Sequence, residues 1–187
     1  MGCARERTQG NDPGSDVGLI TFSLGSLAGW GADSYPPAVM RITFENEIAA
    51  PVPVVWSFLD DDTQLPLWMP EVVDISYPEG QNREDPVGTA FHQTLKEGGR
   101  QKTYDGLVTA YEPERLLGVR LTDGRFGVDV RYALSPSAQG TRLDYAADLV
   151  LQSRLARIFG VLFKPLTISI LKRHMANLKR VAEEASP

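Results

Sequence analysis

Cysteine is almost missing from this chain: Cys3 is the only one among 187 residues. One thiol cannot close an intramolecular disulfide, and His92 and His174 are the only histidines, so no Cys/His cluster exists to hold zinc. That usage fits a reducing, cytoplasmic compartment. No apolar run approaches the roughly 18 residues that suggest a membrane span. A Walker loop, a G-x-S-x-G elbow, an H-E-x-x-H pair and a C-x-x-C motif are all lacking, so no motif calls for a catalytic residue, a metal or a cofactor. Positive charge is also short, with 19 Lys/Arg against 24 Asp/Glu and a net charge of −5, which makes a general DNA-binding role a poor fit.

The charge is unevenly spread. Residues 40–152 sum to −8, whereas residues 153–187 sum to +5 and include Arg154, Arg157, Lys164, Lys172, Arg173, Lys179 and Arg180. Such a basic segment is either the solvated face of an amphipathic helix or a surface for anionic lipid or RNA, and the solvated face is the commoner case. Residues 1–39 hold 7 of the 17 glycines and show no periodicity, so they read as a disordered leader. Val17–Leu27 resembles a signal-peptide core, but Asp12 and Asp16 stand where positive charge belongs. Met-Gly-Cys at the start suggests lipidation, yet Glu6 occupies the position that wants Ser or Thr. Patterning begins abruptly at Met40, so 1–39 are expected to be an appended or mis-assigned start and 40–187 the folded domain.

From Met40 the period is two. Ile42, Phe44 and Ile48 alternate with Arg41, Thr43, Glu45 and Glu47, the signature of a strand buried on one face. Pro51 and Pro53 suit the first turn of a short helix over Val54–Leu59. Asp60, Asp61 and Asp62 then interrupt it; with no further ligands nearby in sequence, a cap for a second helix over Thr63–Met69 is favoured over a metal site. Beyond Pro70, strands alternate with turn signals: Val73, Ile75 and Tyr77, a loop over 78–87, Thr89–Lys96, Lys102–Tyr111, Leu116–Leu121, Phe126–Leu134 and Leu143–Leu151. Gly98-Gly99 and Asp123-Gly124 mark hairpins, so the strands form an antiparallel meander. In the last two strands Asp129, Arg131, Arg142, Asp144 and Asp148 lie opposite the apolar set, leaving one face of the sheet solvated. His92, beside Phe91 and Gln93, falls on that outer face, and His174, next to Lys172 and Arg173, reads as a surface residue.

Ser153 can cap a long C-terminal helix whose apolar positions include Ile158, Leu162, Ile168, Leu171, Met175, Leu178 and Ala182, with a break or kink expected near Phe163–Lys164 ahead of Pro165. The fold class is therefore α+β: a curved seven-stranded antiparallel sheet around a long helix, with two short helices after the first strand. One helix about 10–12 Å across cannot fill the trough of such a sheet, so a cavity is expected between the sheet and residues 163–182. Its candidate contacts are Phe91, Gln93, Tyr104, Val128, Tyr132, Tyr145, Leu171 and Met175, with Trp68 from the short-helix region.

The segments Val54–Asp60, Leu67–Pro70, Val87–Thr89, Val108–Pro113 and Gly140–Leu143, in that order, resemble the helix-grip superfamily of START lipid-transfer domains and polyketide cyclase/dehydrase-like proteins, the SRPBCC group. The resemblance runs from Met40 to Ala185. It implies a bound hydrophobic molecule such as a lipid, quinone or polyketide. Two functions are thus expected, a non-catalytic binder or carrier and an aromatase/cyclase-type enzyme using Tyr104, Tyr132, Tyr145 or Gln93. A third, peripheral docking of the basic helix on anionic membrane or on the ribosome, is admitted by analogy with other members. Oligomeric state is left open.

Overall fold

The computed structural model describes residues 38–124, 126–151 and 154–186, without the side chains of 38–39, 126, 151 and 154–164. The expected leader, apart from the Ala38–Val39 backbone, and the Ser153 cap lie outside the described residues. Strand β1 (Ala38–Ile48) begins the described chain, followed by helix α1 (Val52–Asp60), a 3₁₀ turn (Asp62–Gln64) and the single-turn helix α2 (Leu65–Trp68). Six strands follow: β2 (Val72–Ser76), β3 (Ala90–Glu97), β4 (Arg100–Glu112), β5 (Leu116–Thr122), β6 (Phe126–Ser137) and β7 (Gly140–Leu151). Helix α3 (Arg154–Glu184) closes the fold.

The sheet order is β1-β7-β6-β5-β4-β3-β2, antiparallel at every pairing. This is the seven-stranded helix-grip arrangement that the alternation predicts. The outer face is stitched by register partners: Arg41 donates to both oxygens of Asp148 at 2.7 and 2.6 Å, and Arg120 meets Asp129 at 2.7 Å. His92 lies 3.1 Å from its partner Asp105 on that same face, as its position beside Phe91 requires. Directly opposed residues on one face are close enough to interact, so these pairs set the register as well as the polarity.

The inner face carries the core. Ile42, Leu143, Tyr145, Ala147, Val130 and Leu134 come from the β1-β7-β6 side, and Met175, Leu178, Val181 and Ala182 descend on them from α3. α3 packs against β1, β7, α1 and α2 and runs as one helix through Pro165, so of the break or kink expected near Phe163–Lys164 the break does not occur. A second correction concerns β2, where the register shifts between Val72 and Asp74. The bulge turns Val72 inward and leaves Val73 exposed, because one extra residue reverses the alternation that Val73, Ile75 and Tyr77 suggest.

The join between β1 and α1 depends on a close approach. Gly140 has φ +138°, and a Cβ there would lie 2.6 Å from the Ile48 carbonyl oxygen. The adjacent Thr141, fully buried, donates its hydroxyl to the Ala50 carbonyl at 2.7 Å. The β6–β7 hairpin thus anchors the chain as it leaves the sheet and fixes where α1 starts.

Candidate functional site

Because α3 occupies the β1-β7 end of the sheet, the β2–β5 end must be covered by something else. α1, the 3₁₀ turn, α2 and the loop between β2 and β3 do this, and a cavity of about 270 Å³ lies beneath them. Its apolar wall includes Leu59, Leu65, Met69, Ile75, Phe91, Val108, Leu117 and Val119.

Of the sequence candidates, Trp68, Phe91, Gln93 and Tyr132 line this cavity. Trp68 is fixed from both sides: its Nε1–H donates to the Phe58 carbonyl at 2.8 Å, and its ring meets Tyr132 edge-on at 6.0 Å. Phe91 lies over Gly106, its register partner; a Cβ at Gly106 would be 2.3 Å from the ring. Only a residue without a side chain lets the ring lie this close to β4.

The other five candidates lie elsewhere. Tyr104 is buried on the inner face, as alternation requires, but its hydroxyl donates to Glu97 Oε1 at 2.7 Å near the β3–β4 hairpin, and Lys102 Nζ sits 4.6 Å from its ring centroid. Burial first, and then Glu97, raise its hydroxyl to about 12. Tyr145 is core, packed on Phe44 and Tyr132 at 5.9 and 5.2 Å. Met175 is buried, and Val128 and Leu171 are half-buried against the core. Among the described residues, none of α3 lines the cavity. This cavity therefore sits under the short helices, and among the described residues none of 165–182 lines it.

The rim was not legible in the pattern. Asp61 caps the 3₁₀ turn as expected, accepting from the backbone N–H and hydroxyl of Thr63 at 3.0 and 2.7 Å. Its neighbours do something different. Asp62 accepts from the Tyr77 hydroxyl at 2.6 Å, and Asp60 accepts from the Tyr111 hydroxyl at 2.9 Å; all four residues line the cavity. The three adjacent carboxylates thus cap one turn and tie both the β2–β3 loop and β4 to it. Burial pushes the Asp62 carboxyl up, a shift that the Tyr77 hydrogen bond and the charge of Arg83 only partly offset. Burial and the Asp60 bond raise the Tyr111 hydroxyl to about 12, so it stays a hydrogen-bond donor. Gln81, Asn82 and Arg83 are exposed and form the solvent-facing edge. Tyr111 reaches the interior because the β4–β5 register shifts between Val108 and Ala110, which brings Val108 and Tyr111 to the same side.

His174 is a further correction. Its side chain is only 12% exposed, and its Nε2 lies 2.8 Å from Glu71 Oε2, with Arg173 bonded to the other oxygen of the same carboxylate. Asn177 donates to the Trp68 carbonyl at 3.2 Å, so this stretch of α3 clamps the α2–β2 corner that holds Trp68 and Met69 at the cavity. The basic face of α3 is in part internally neutralised: Arg173 pairs with Glu71, Arg180 with Glu184 at 2.8 Å, and Lys179 donates to the Glu47 carbonyl at 2.7 Å. Lys172 is exposed. Among the described residues no helix is long and apolar enough to cross a membrane, and no group of three or more His, Cys, Asp or Glu is placed to hold a metal ion.

A sheet wrapped on a C-terminal helix, with an apolar cavity under its short helices, defines the helix-grip class of small-molecule-binding folds. The chain belongs to the family described as polyketide cyclase / dehydrase and lipid transport, whose pattern matches residues 40–183. Solved structures agree on the fold. A Staphylococcus aureus protein of unknown function superposes with a TM-score of 0.64 at 8% identity, over 80% of this chain and 96% of that one. The di-domain ARO/CYC StfQ from the steffimycin biosynthetic pathway gives 0.63 at 14% identity, over 78% of this chain and 52% of that one. A Rhodobacter sphaeroides protein gives 0.60 at 20% identity, over 78% and 93%. No curated protein matches the sequence.

Proposed function

We propose that residues 40–187 are a ligand-binding domain that holds a hydrophobic small molecule in the cavity under α1 and α2, as a binder or carrier. The observation that carries this reading is an apolar-walled space of about 270 Å³ that opens to solvent at the Gln81–Arg83 edge, so that a molecule can enter it. The volume lies just below the ~300–1,000 Å³ of common ligand sites, which suits a compact ring-bearing molecule, such as a small quinone or polyketide-like compound, better than a diacyl lipid.

Native mass spectrometry of the protein purified from its own host tests the reading directly. The expected result is a co-purified small-molecule adduct, or one-to-one uptake of an added naphthalene-sized probe, abolished in Val119→Trp, whose indole fills the space. Wild-type protein that takes up nothing, or a filled variant that takes up as much, would overturn it.

A cyclase-type enzyme is the second reading, favoured by one feature. Tyr132 is a buried phenol that faces the cavity, and burial pushes its hydroxyl further above its usual range, so it stays protonated. A neutral phenol can orient a carbonyl or hand over a proton in a ring closure. Turnover of a cyclisation substrate by the wild type, lost in Tyr132→Phe, supports this reading; stoichiometric binding without turnover counts against it.

A further inference from the structure

Two neutral polar groups stand out in the cavity wall. Gln93 is 7% exposed and Tyr132 8%, both line the space, and among the described residues nothing hydrogen-bonds the Gln93 amide or the Tyr132 hydroxyl. Three other hydrogen-bonding side chains of the wall are already engaged. The Tyr77 and Tyr111 hydroxyls are taken by Asp62 and Asp60, and the Trp68 indole N–H by the Phe58 carbonyl. Neither group is sealed inside the protein: their polar atoms open onto the cavity itself and are placed to meet whatever fills it.

Building on the binding reading, we infer that the cavity is built for a compact, non-anionic, ring-bearing molecule with two oxygen functions on separate edges, one met by the Gln93 amide and the other by the Tyr132 hydroxyl. The separation follows from the topology. Gln93 is on β3 and Tyr132 on β6, with β4 and β5 between them, so the two groups address different atoms of one ligand. The ligand is not an anion, because two of the three charged residues lining the cavity are carboxylates. Among the described residues the only cation there is Arg83, exposed at the rim, where Asp60 and Asp62 also stand. An anion driven past those carboxylates would lie among apolar groups without a partner. Gln93 donates and accepts, and Tyr132 does the same through one oxygen, so each can serve a hydroxyl or a carbonyl.

The probes are naphthalene, 2-naphthol and 2,6-dihydroxynaphthalene, titrated into the full chain by calorimetry. The expected result is a ladder in which each hydroxyl tightens binding by about tenfold, since 1.4 kcal/mol is one decade. Gln93→Leu and Tyr132→Phe should each remove one step, so that either variant binds the diol no better than the naphthol. Naphthalene needs neither group and should bind both variants at least as tightly as the wild type, which separates a lost contact from a lost fold. Should Gln93→Leu fail that control, Gln93→Met keeps the volume and length. Equal affinity for all three probes in the wild type, or a ladder unchanged in both variants, would overturn the inference and leave the hydrophobic-binder reading standing. 2-Naphthoate binding as tightly as the diol would overturn the non-anionic assignment. Failure of all three neutral probes to bind would remove the binder reading and this inference together.

Discussion

Gly106→Ala is a small change with a large local consequence. The new Cβ would stand 2.3, 2.4 and 2.6 Å from three carbons of the Phe91 ring, whereas ordinary contact begins near 3.4 Å, so the ring must retreat by at least about 1 Å. β4 and β3 are register-locked through Gly106↔Phe91, so the backbone cannot absorb the shift, and the side of the ring that is free faces the cavity. Overpacking of this sort costs typically about 1–3 kcal/mol, and it should also narrow the space available to a bound probe. Phe91→Leu alone removes ring atoms and destabilises by less than the roughly 3–5 kcal/mol of a full truncation to Ala. Combined, the two changes should be less harmful than their sum, with a coupling of about 1–3 kcal/mol, because the smaller Leu leaves room for the Cβ. Urea unfolding of the four proteins measures the stability cycle, and uptake of 2-naphthol measures the cavity. Strictly additive stabilities, or a Gly106→Ala protein that unfolds and takes up the probe like the wild type, would show that Phe91 does not rest on Gly106 and would refute the packing argument.

Two further outcomes concern the carboxylates. For Glu71, burial pushes the carboxyl up, but the His174 bond, a backbone bond and the charges of His174 and Arg173 outweigh it, and its net pKa is below the usual 4.5. The unfolded chain then binds more protons near that pH, so the clamp contributes stability above it that is lost as pH falls through the folded value. Glu71→Gln should therefore be less stable than wild type at pH 7, by on the order of 1 kcal/mol after solvent screening, and the gap should close as pH falls through the folded value; a gap constant with pH would contradict the assignment. Asp62 shifts the opposite way, and its carboxyl favours the proton more in the folded state. Asp62→Ala removes the acceptor of the Tyr77 hydroxyl and should loosen residues 77–89, seen as faster amide exchange there and faster probe dissociation, with β6 and β7 unchanged; unaltered exchange in 77–89 would refute the tether.

The sheet and its polarity were readable in the residues because a strand buried on one face writes a period of two into its own composition. β6 and β7 are the clearest case, with Tyr132, Leu134, Leu143 and Tyr145 inward and Asp129, Arg131, Arg142 and Asp144 outward. Turn chemistry supplied the rest: Gly98-Gly99 and Asp123-Gly124 need backbone conformations that few other residues adopt, so the meander could be counted from punctuation alone. Four of the nine candidate contacts, Trp68, Phe91, Gln93 and Tyr132, reached the cavity for the same reason, since alternation or helix packing already pointed them inward.

Alternation says only which face a side chain takes, and never how far along the sheet the space lies. That depended on where α3 packs: it fills the β1-β7 end with Met175 and Leu178, which makes core of Tyr145, while the cavity that remains lies under α1 and α2. The bulges in β2 and β4 reversed parity locally, hiding Val72 and Tyr111 from any count of two. The pairing of Asp60 with Tyr111 and of Asp62 with Tyr77 joins residues 51 and 15 positions apart. The sequence by itself determined a one-faced antiparallel sheet gripping a helix; only tertiary packing decided where space was left over, because the position of a void depends on what every neighbouring side chain fills.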